Sequence, residues 1–230
     1  MNLTKKIIGL TLGIRFARSF RIPDISGEII DNFLYDEGSP FGAEMFTHVQ
    51  ETSAREKILY NPDTTEYLRL NTDDLILGKR VEQDFEEKFT WIETKVLAYY
   101  KEIIFKKYEI KNISRIGIIF HHKIHKVKEL NKYILQITKE GVSDSENINI
   151  SFSKRLPSRA GLYRKGVKDY KNTIYHIKST EDALFVQLDY QYYYSPHIED
   201  LRDCFTEKII SSAKDFLGNQ FYSWLSSYEK

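Results

Sequence analysis

Ile8, Leu10, Leu12, Ile14 and Phe16 alternate with Gly9, Thr11, Gly13 and Arg15, the period of a strand with one face against a core. Pro23 and a capping Asp24 precede Ile25, Ile29 and Phe33 at one-turn spacing, which predicts a short helix over residues 24–35. Gly38, Ser39, Pro40 and Gly42 then mark a loop. Short strands are predicted at 46–50, 57–60 and 67–70, the last two joined as a hairpin by the turn residues Asn61, Pro62 and Asp63. From Val81, the residues Phe85, Phe89, Ile92, Val96, Tyr99, Tyr100, Ile103 and Ile104 recur every three or four positions, so residues 81–107 read as one long amphipathic helix. Glu82, Asp84, Glu86 and Glu87 crowd its start and Lys101, Lys106 and Lys107 its end, the order that the helix dipole favours.

Five more strands are predicted at 113–120, 133–138, 148–152, 173–177 and 184–194. Ser195 as cap and Pro196 as first helical residue then introduce a closing helix with Ile198, Leu201, Phe205, Ile209, Ala213, Phe216 and Leu217 on its apolar stripe. In the last strand Tyr190, Tyr192 and Tyr194 share a face suited to core packing, while Asp189, Gln191 and Tyr193 share the other. A buried Asp189 would need a partner, such as a basic residue on a neighbouring strand, and an Asp189 facing water would need none. Strands gathered ahead of helices define an α+β fold: antiparallel sheet with long amphipathic helices packed on one face. Residues 1–110 and 111–230 each run from an apolar strand through further strands into a long helix. The chain therefore reads as a single compact domain, 1–230, with a pseudo-duplication of a strand-rich unit ending in a helix.

Composition narrows the class. Hydrophobic residues at 41% with only 11 glycines and 5 prolines among 230 residues exclude a disordered or collagenous chain. The single cysteine, Cys204, makes neither an internal disulfide nor a Cys-rich zinc site and suits a reducing cytoplasm. Its neighbours Asp200, Asp203 and Glu207 disfavour a thiolate, so it reads as a structural thiol. Glycine, threonine and arginine interrupt the apolar run behind Lys5 and Lys6, which makes it a strand and not a signal peptide. No stretch approaches the roughly 20 apolar residues that span a bilayer. The expectation is a cytoplasmic protein without membrane contact.

The net charge of +1 hides a strong asymmetry. Residues 111–178 hold 15 Lys and Arg against 5 Asp and Glu, a net of +10, between flanks of −4 and −5. Lys154, Arg155, Arg159, Arg164, Lys165, Lys168 and Lys171 crowd a stretch whose one acid is Asp169, with Tyr163 and Tyr170 interleaved. Pro157, Gly161 and Gly166 give that stretch a loop-like composition. Arginine forks can grip phosphates and tyrosines can stack bases, so nucleic acid is one expected partner. An acidic partner protein fits the same charge, and a solvated basic loop is the plain alternative.

The run His121-His122-Lys123-Ile124-His125-Lys126 raises a metal reading. On a strand His121 and His125 share a face but lie roughly 13 Å apart, with His122 on the other side. A helical turn there would bring His122 and His125 towards Glu129, the ligand set of a metal-dependent hydrolase or nuclease. Glu93-Thr94-Lys95 has nuclease spacing but falls mid-helix. Gly161 to Gly166 has the spacing of a phosphate loop, yet Val167 and Lys168 stand where Lys and Ser or Thr are required. No catalytic residue and no cofactor is implied. The leading expectation is a non-enzymatic binding or assembly subunit, with the histidine-based hydrolase as its rival.

Three stretches carry a resemblance: the opening strand ending in Arg15-Phe16, the segment Arg115-Ile116-Gly117-Ile118-Ile119-Phe120, and Val186-Gln187-Leu188-Asp189 leading into residues 198–216. Together they resemble a sporadically distributed family of prokaryotic proteins of unknown function, roughly 250 residues long. The chain departs from that family at His121-His122, where Tyr or Asn is more usual, and at Thr206 and Glu207, where a His is common. The resemblance implies no reaction and no active site. Its patchy distribution implies a mobile or defence-associated setting.

Overall fold

The alternation of the opening residues is realised as β1 (Ile7–Phe16), which becomes one of the central strands of an antiparallel sheet with nine strands among the described residues. A computed structural model describes residues 6–53, 55–125, 149–157, 167–179 and 183–223. After β1 come α1 (Ile22–Tyr35), β2 (His48–Ser53), β3 (Glu56–Asn61), β4 (Glu66–Asn71) and β5 (Asp74–Arg80). Helix α2 (Phe85–Trp91) continues through wide π turns at Ile92–Val96 and Tyr100–Phe105. The second half supplies β6 (Ile113–His125), β7 (Asn149–Pro157), β8 (Tyr170–Ser179), β9 (Ala183–Ile198) and α3 (Thr206–Phe216). The strand order is β2-β3-β4-β5-β1-β6-β9-β8-β7, so the two opening strands of the halves lie side by side.

Register divides the residues of the sheet between two faces. Leu12 stands opposite Leu77 and Ile118, and Ile14 opposite Leu75 and Ile116, all buried. Helices meet this side: Phe120 packs on Phe85 and Phe89, Phe16 on Phe105, and Tyr190 on Phe216. Towards this layer the helix buries Ile92, Val96, Leu97, Tyr100, Ile104 and Phe105, the wide stripe of an amphipathic helix. Within this layer Lys79 Nζ and Glu66 Oε1 lie 2.6 Å apart with side chains 9% and 11% exposed, and the ammonium also sits over the Trp91 ring.

Several boundaries differ from the sequence reading. β5 escaped it, because Ile76 faces away from Leu75 and Leu77 inside a short run bounded by charges. Asp24 is not the cap of α1; the helix begins at Ile22 and Asp24 lies in its first turn. Val81 precedes α2 and donates its N–H to Ile8. Ser195 and Pro196 do not start a helix. β9 runs through them to Ile198, and Asp200 caps a short 3-10 turn ahead of α3. The strand predicted at 133–138 lies outside the described residues.

Candidate functional site

The basic stretch is partly strand. β7 and β8 pair without interruption from Asn149 opposite Lys178 to Pro157 opposite Tyr170, well beyond the predicted 148–152 and 173–177. Pairing sends alternate residues to opposite faces. Lys154 and Lys171 fall on the side of Tyr190, where Lys171 lies over that ring at 5.7 Å and burial lowers the pKa of its ammonium. Arg155 and Tyr170 fall on the other side. Lys168 stands just before β8, tied by its N–H to the Ser195 carbonyl. Arg159, Tyr163, Arg164, Lys165 and the pair Gly161 and Gly166 lie outside the described residues.

On the face that bears Arg155, four side chains form a continuous stack across four neighbouring strands. The Arg155 guanidinium lies 3.6 Å from the Tyr170 ring centre. Tyr170 and Tyr193, a cross-strand pair, stack at 4.6 Å with planes 6° apart. Arg115 lies 5.7 Å from Tyr193 and donates Nη1 to its hydroxyl at 3.3 Å. The row crosses three inter-strand spacings, roughly 14 Å. Because Tyr170 has Arg155 on one ring face and Tyr193 on the other, base stacking on Tyr170 is not what this arrangement offers. Instead the rings hold two guanidiniums in fixed orientations, and a fork held in place loses less entropy on gripping a phosphate or carboxylate.

Hydrogen bonds brace the row from behind. Tyr193 donates to Gln191 Oε1 at 2.8 Å, Asn172 donates to the same oxygen at 3.3 Å, and Gln191 Nε2 donates to Asp189 at 2.6 Å. Burial pushes the Asp189 carboxyl above its ordinary pKa, against the Gln191 hydrogen bond and the nearby charges of Arg115 and His176. Gln191 is the direct partner of the half-buried Asp189, and Arg115 and His176 act on it only at a distance. Asp169, the one acid of the basic stretch, is 3% exposed, accepting from the Ser195 N–H at 2.8 Å and from the Tyr192 hydroxyl at 3.1 Å. Its signal was local: an acid alone among cations, next to a strand, is a candidate anchor.

The histidines separate. His121 is on the face of the stack, where its ring nitrogens meet Thr11 Oγ1 at 2.9 Å and Gln187 at 3.1 Å. His122 faces the core, 1% exposed, its ring against Phe221 and 3.5 Å from the Tyr222 hydroxyl. It adds nothing to a basic surface. The backbone stays extended through His125, so positions 122 and 125 fall on opposite faces and the helical turn required by the metal reading is absent. Glu129 lies outside the described residues. Among the described residues no three histidine, cysteine or carboxylate side chains gather as a metal site. Glu93 and Lys95 fall in a π turn of the α2 helix, and Cys204 is a buried thiol directed at the Asp200 carbonyl.

Burial pushes the His122 pKa down to about 4 from 6.5. The unfolded chain therefore binds a proton below pH 6.5 that the folded chain refuses until near pH 4. Unfolding free energy is expected to fall across that window by on the order of 3 kcal/mol and then level off. Asp74 and Asp189, whose carboxyls burial raises, oppose the trend near its acid end. Denaturation curves from pH 7.5 to 4.5 check this, and His122→Phe should flatten the slope.

No protein-family model matches this chain, and no curated protein matches it significantly.

Proposed function

We propose that the chain is a non-enzymatic binding or assembly subunit that holds nucleic acid on the sheet face bearing Arg155, Tyr170, Tyr193 and Arg115. The stack of those four side chains carries the reading, because it fixes two arginine forks on a surface otherwise short of acid. On the second half of this face Arg115, Lys123, Arg155 and Lys178 stand against Asp189 alone among the described residues. Interfaces with nucleic acid are polar and positive, whereas protein interfaces draw their energy from apolar and aromatic anchors, and these tyrosines are already covered.

The fold serves the reading in a specific way. Long helices layer on the opposite face and leave this one for the ligand. The halves 1–110 and 111–230 are related units joined at β1 and β6, where Gly13 stands opposite Gly117 and Phe16 and Phe120 hold equivalent places three residues on. A prokaryotic defence-type setting follows from the resemblance of the strands. The rival hydrolase at His122, His125 and Glu129 is less well supported, since His122 is a neutral core residue.

The test is fluorescence anisotropy of labelled single-stranded RNA and DNA with the wild type and with Arg115→Glu/Arg155→Glu. Reversal should weaken binding more than tenfold and make the salt dependence shallower by about 0.7 for each phosphate no longer neutralised. Equal binding by both proteins at every salt concentration would sink the reading. Salt-tolerant co-elution of an acidic protein, abolished by the reversal, would replace nucleic acid by that partner.

A further inference from the structure

The stack of Arg115 and the tyrosines continues across β6 into the first half of the sheet. Register sets Tyr170, Tyr193, Arg115, Arg15 and Asp74 in one transverse row on a single face. Arg15 and Arg115 are therefore directly opposite one another on adjacent strands. Like charges so placed repel and destabilise a sheet unless something answers them. Asp74 answers only in part: it is 3.9 Å from Arg15 but 3.2 Å from Arg69, which also meets Glu56 at 3.6 Å. Arg115 has no carboxylate within 4 Å among the described residues. Arg15 and Arg69 share Asp74, with Glu56 also on Arg69, while Arg115 rests on the Tyr193 hydroxyl and meets the charge of Asp189 only from farther off.

The next row inward holds Ile76, Gly13, Gly117 and Gln191. Two glycines face to face at the centre of a sheet are costly in a strand and mark a place where something approaches the backbone. Gly117 is occupied from the side, since a methyl there would meet the Tyr190 carbonyl at 3.0 Å and Gln191 at 3.3 Å. Gly13 is open: a methyl there would find only Ile76, at 3.9 Å. A bare patch of backbone thus lies one row inward of the two opposed arginines.

We propose that Arg15 and Arg115, over the floor left by Gly13, form a seat for a phosphate group. The anion bridges the two guanidiniums and relieves their repulsion, while the missing side chain gives its oxygens room. The seat rests on the nucleic-acid reading for the source of the phosphate; the alternative source is a free phosphate or nucleotide.

Gly13→Val separates the seat from the charges around it. A β-branched residue suits a strand, so the melting temperature should hold or rise while the floor is filled. Inorganic phosphate should raise the melting temperature of the wild type but not of Gly13→Val or Arg15→Gln. Binding of a labelled single-stranded oligonucleotide should weaken about tenfold in Arg15→Gln, as expected when one charge-assisted hydrogen bond is removed, and by a similar factor in Gly13→Val, whose side chain takes the room of the phosphate oxygens. A phosphate shift that vanishes in the variants while the oligonucleotide fails to bind any form leaves the seat standing, assigns it to a free phosphate and ends the nucleic-acid reading. Oligonucleotide binding abolished by Arg115→Glu/Arg155→Glu but unchanged in Gly13→Val and Arg15→Gln, with no phosphate shift, overturns the seat and leaves that reading intact. Should Gly13→Val fail to fold, Arg15→Gln alone decides by the same two readouts.

Discussion

Glu66→Ala is expected to lower the unfolding free energy by about 3–5 kcal/mol, as breaking a buried ion pair by removing one partner does. Lys79 would keep its place between β5 and Trp91, 9% exposed, with its partner gone and little water to replace it. The loss arises from the stranded cation, not from the worth of the pair. The double variant Glu66→Leu/Lys79→Met should accordingly recover most of the stability, because apolar residues of similar volume suit that layer at least as well. Urea denaturation of the wild type, both single variants and the double variant measures this directly. A Glu66→Ala cost below about 1 kcal/mol would mean that water reaches the pair, as at an exposed ion pair.

Phe120→Ala is expected to cost about 3–5 kcal/mol. The ring is 0% exposed and packs at 6.3 Å against both Phe85 and Phe89, so its removal opens a cavity between the centre of the sheet and the start of α2. Lys214, whose ammonium lies over Phe89 and pairs with Glu86, ties α3 to the same place. Phe120→Leu should cost clearly less by the same denaturation measurement, and equal costs for the two would show that the site collapses freely.

What could be read along the chain depended on whether the information was local. β1, β6 and β9 were legible because Leu12, Ile118 and Tyr190 recur at period two over long runs. The closing helix was legible in its body but not in its start, since Ser195-Pro196 carries helix-entry chemistry while its backbone is held in β9 by Asp169. The basic patch was legible as a count of charges. Its geometry was not, because pairing with β8 sends Lys154 and Arg155 to opposite sides. The opposition of Arg15 and Arg115, a hundred residues apart, exists only through strand register, which no local pattern encodes.

The position of β9 has a consequence for synthesis. It is the last strand to be made, yet it lies between β6 and β8, so the β7–β8 hairpin is joined to the rest of the sheet through it. Until residues 183–198 have left the ribosome, β6 exposes an unpaired edge and the hairpin waits unattached, with Tyr175 and Ile177 lacking their cover from Leu188 and Val186. Such late, long-range pairing slows folding and prolongs the exposure of strand edges. The nascent chain therefore spends its most aggregation-prone interval with β6 and the β7–β8 hairpin waiting for a single segment.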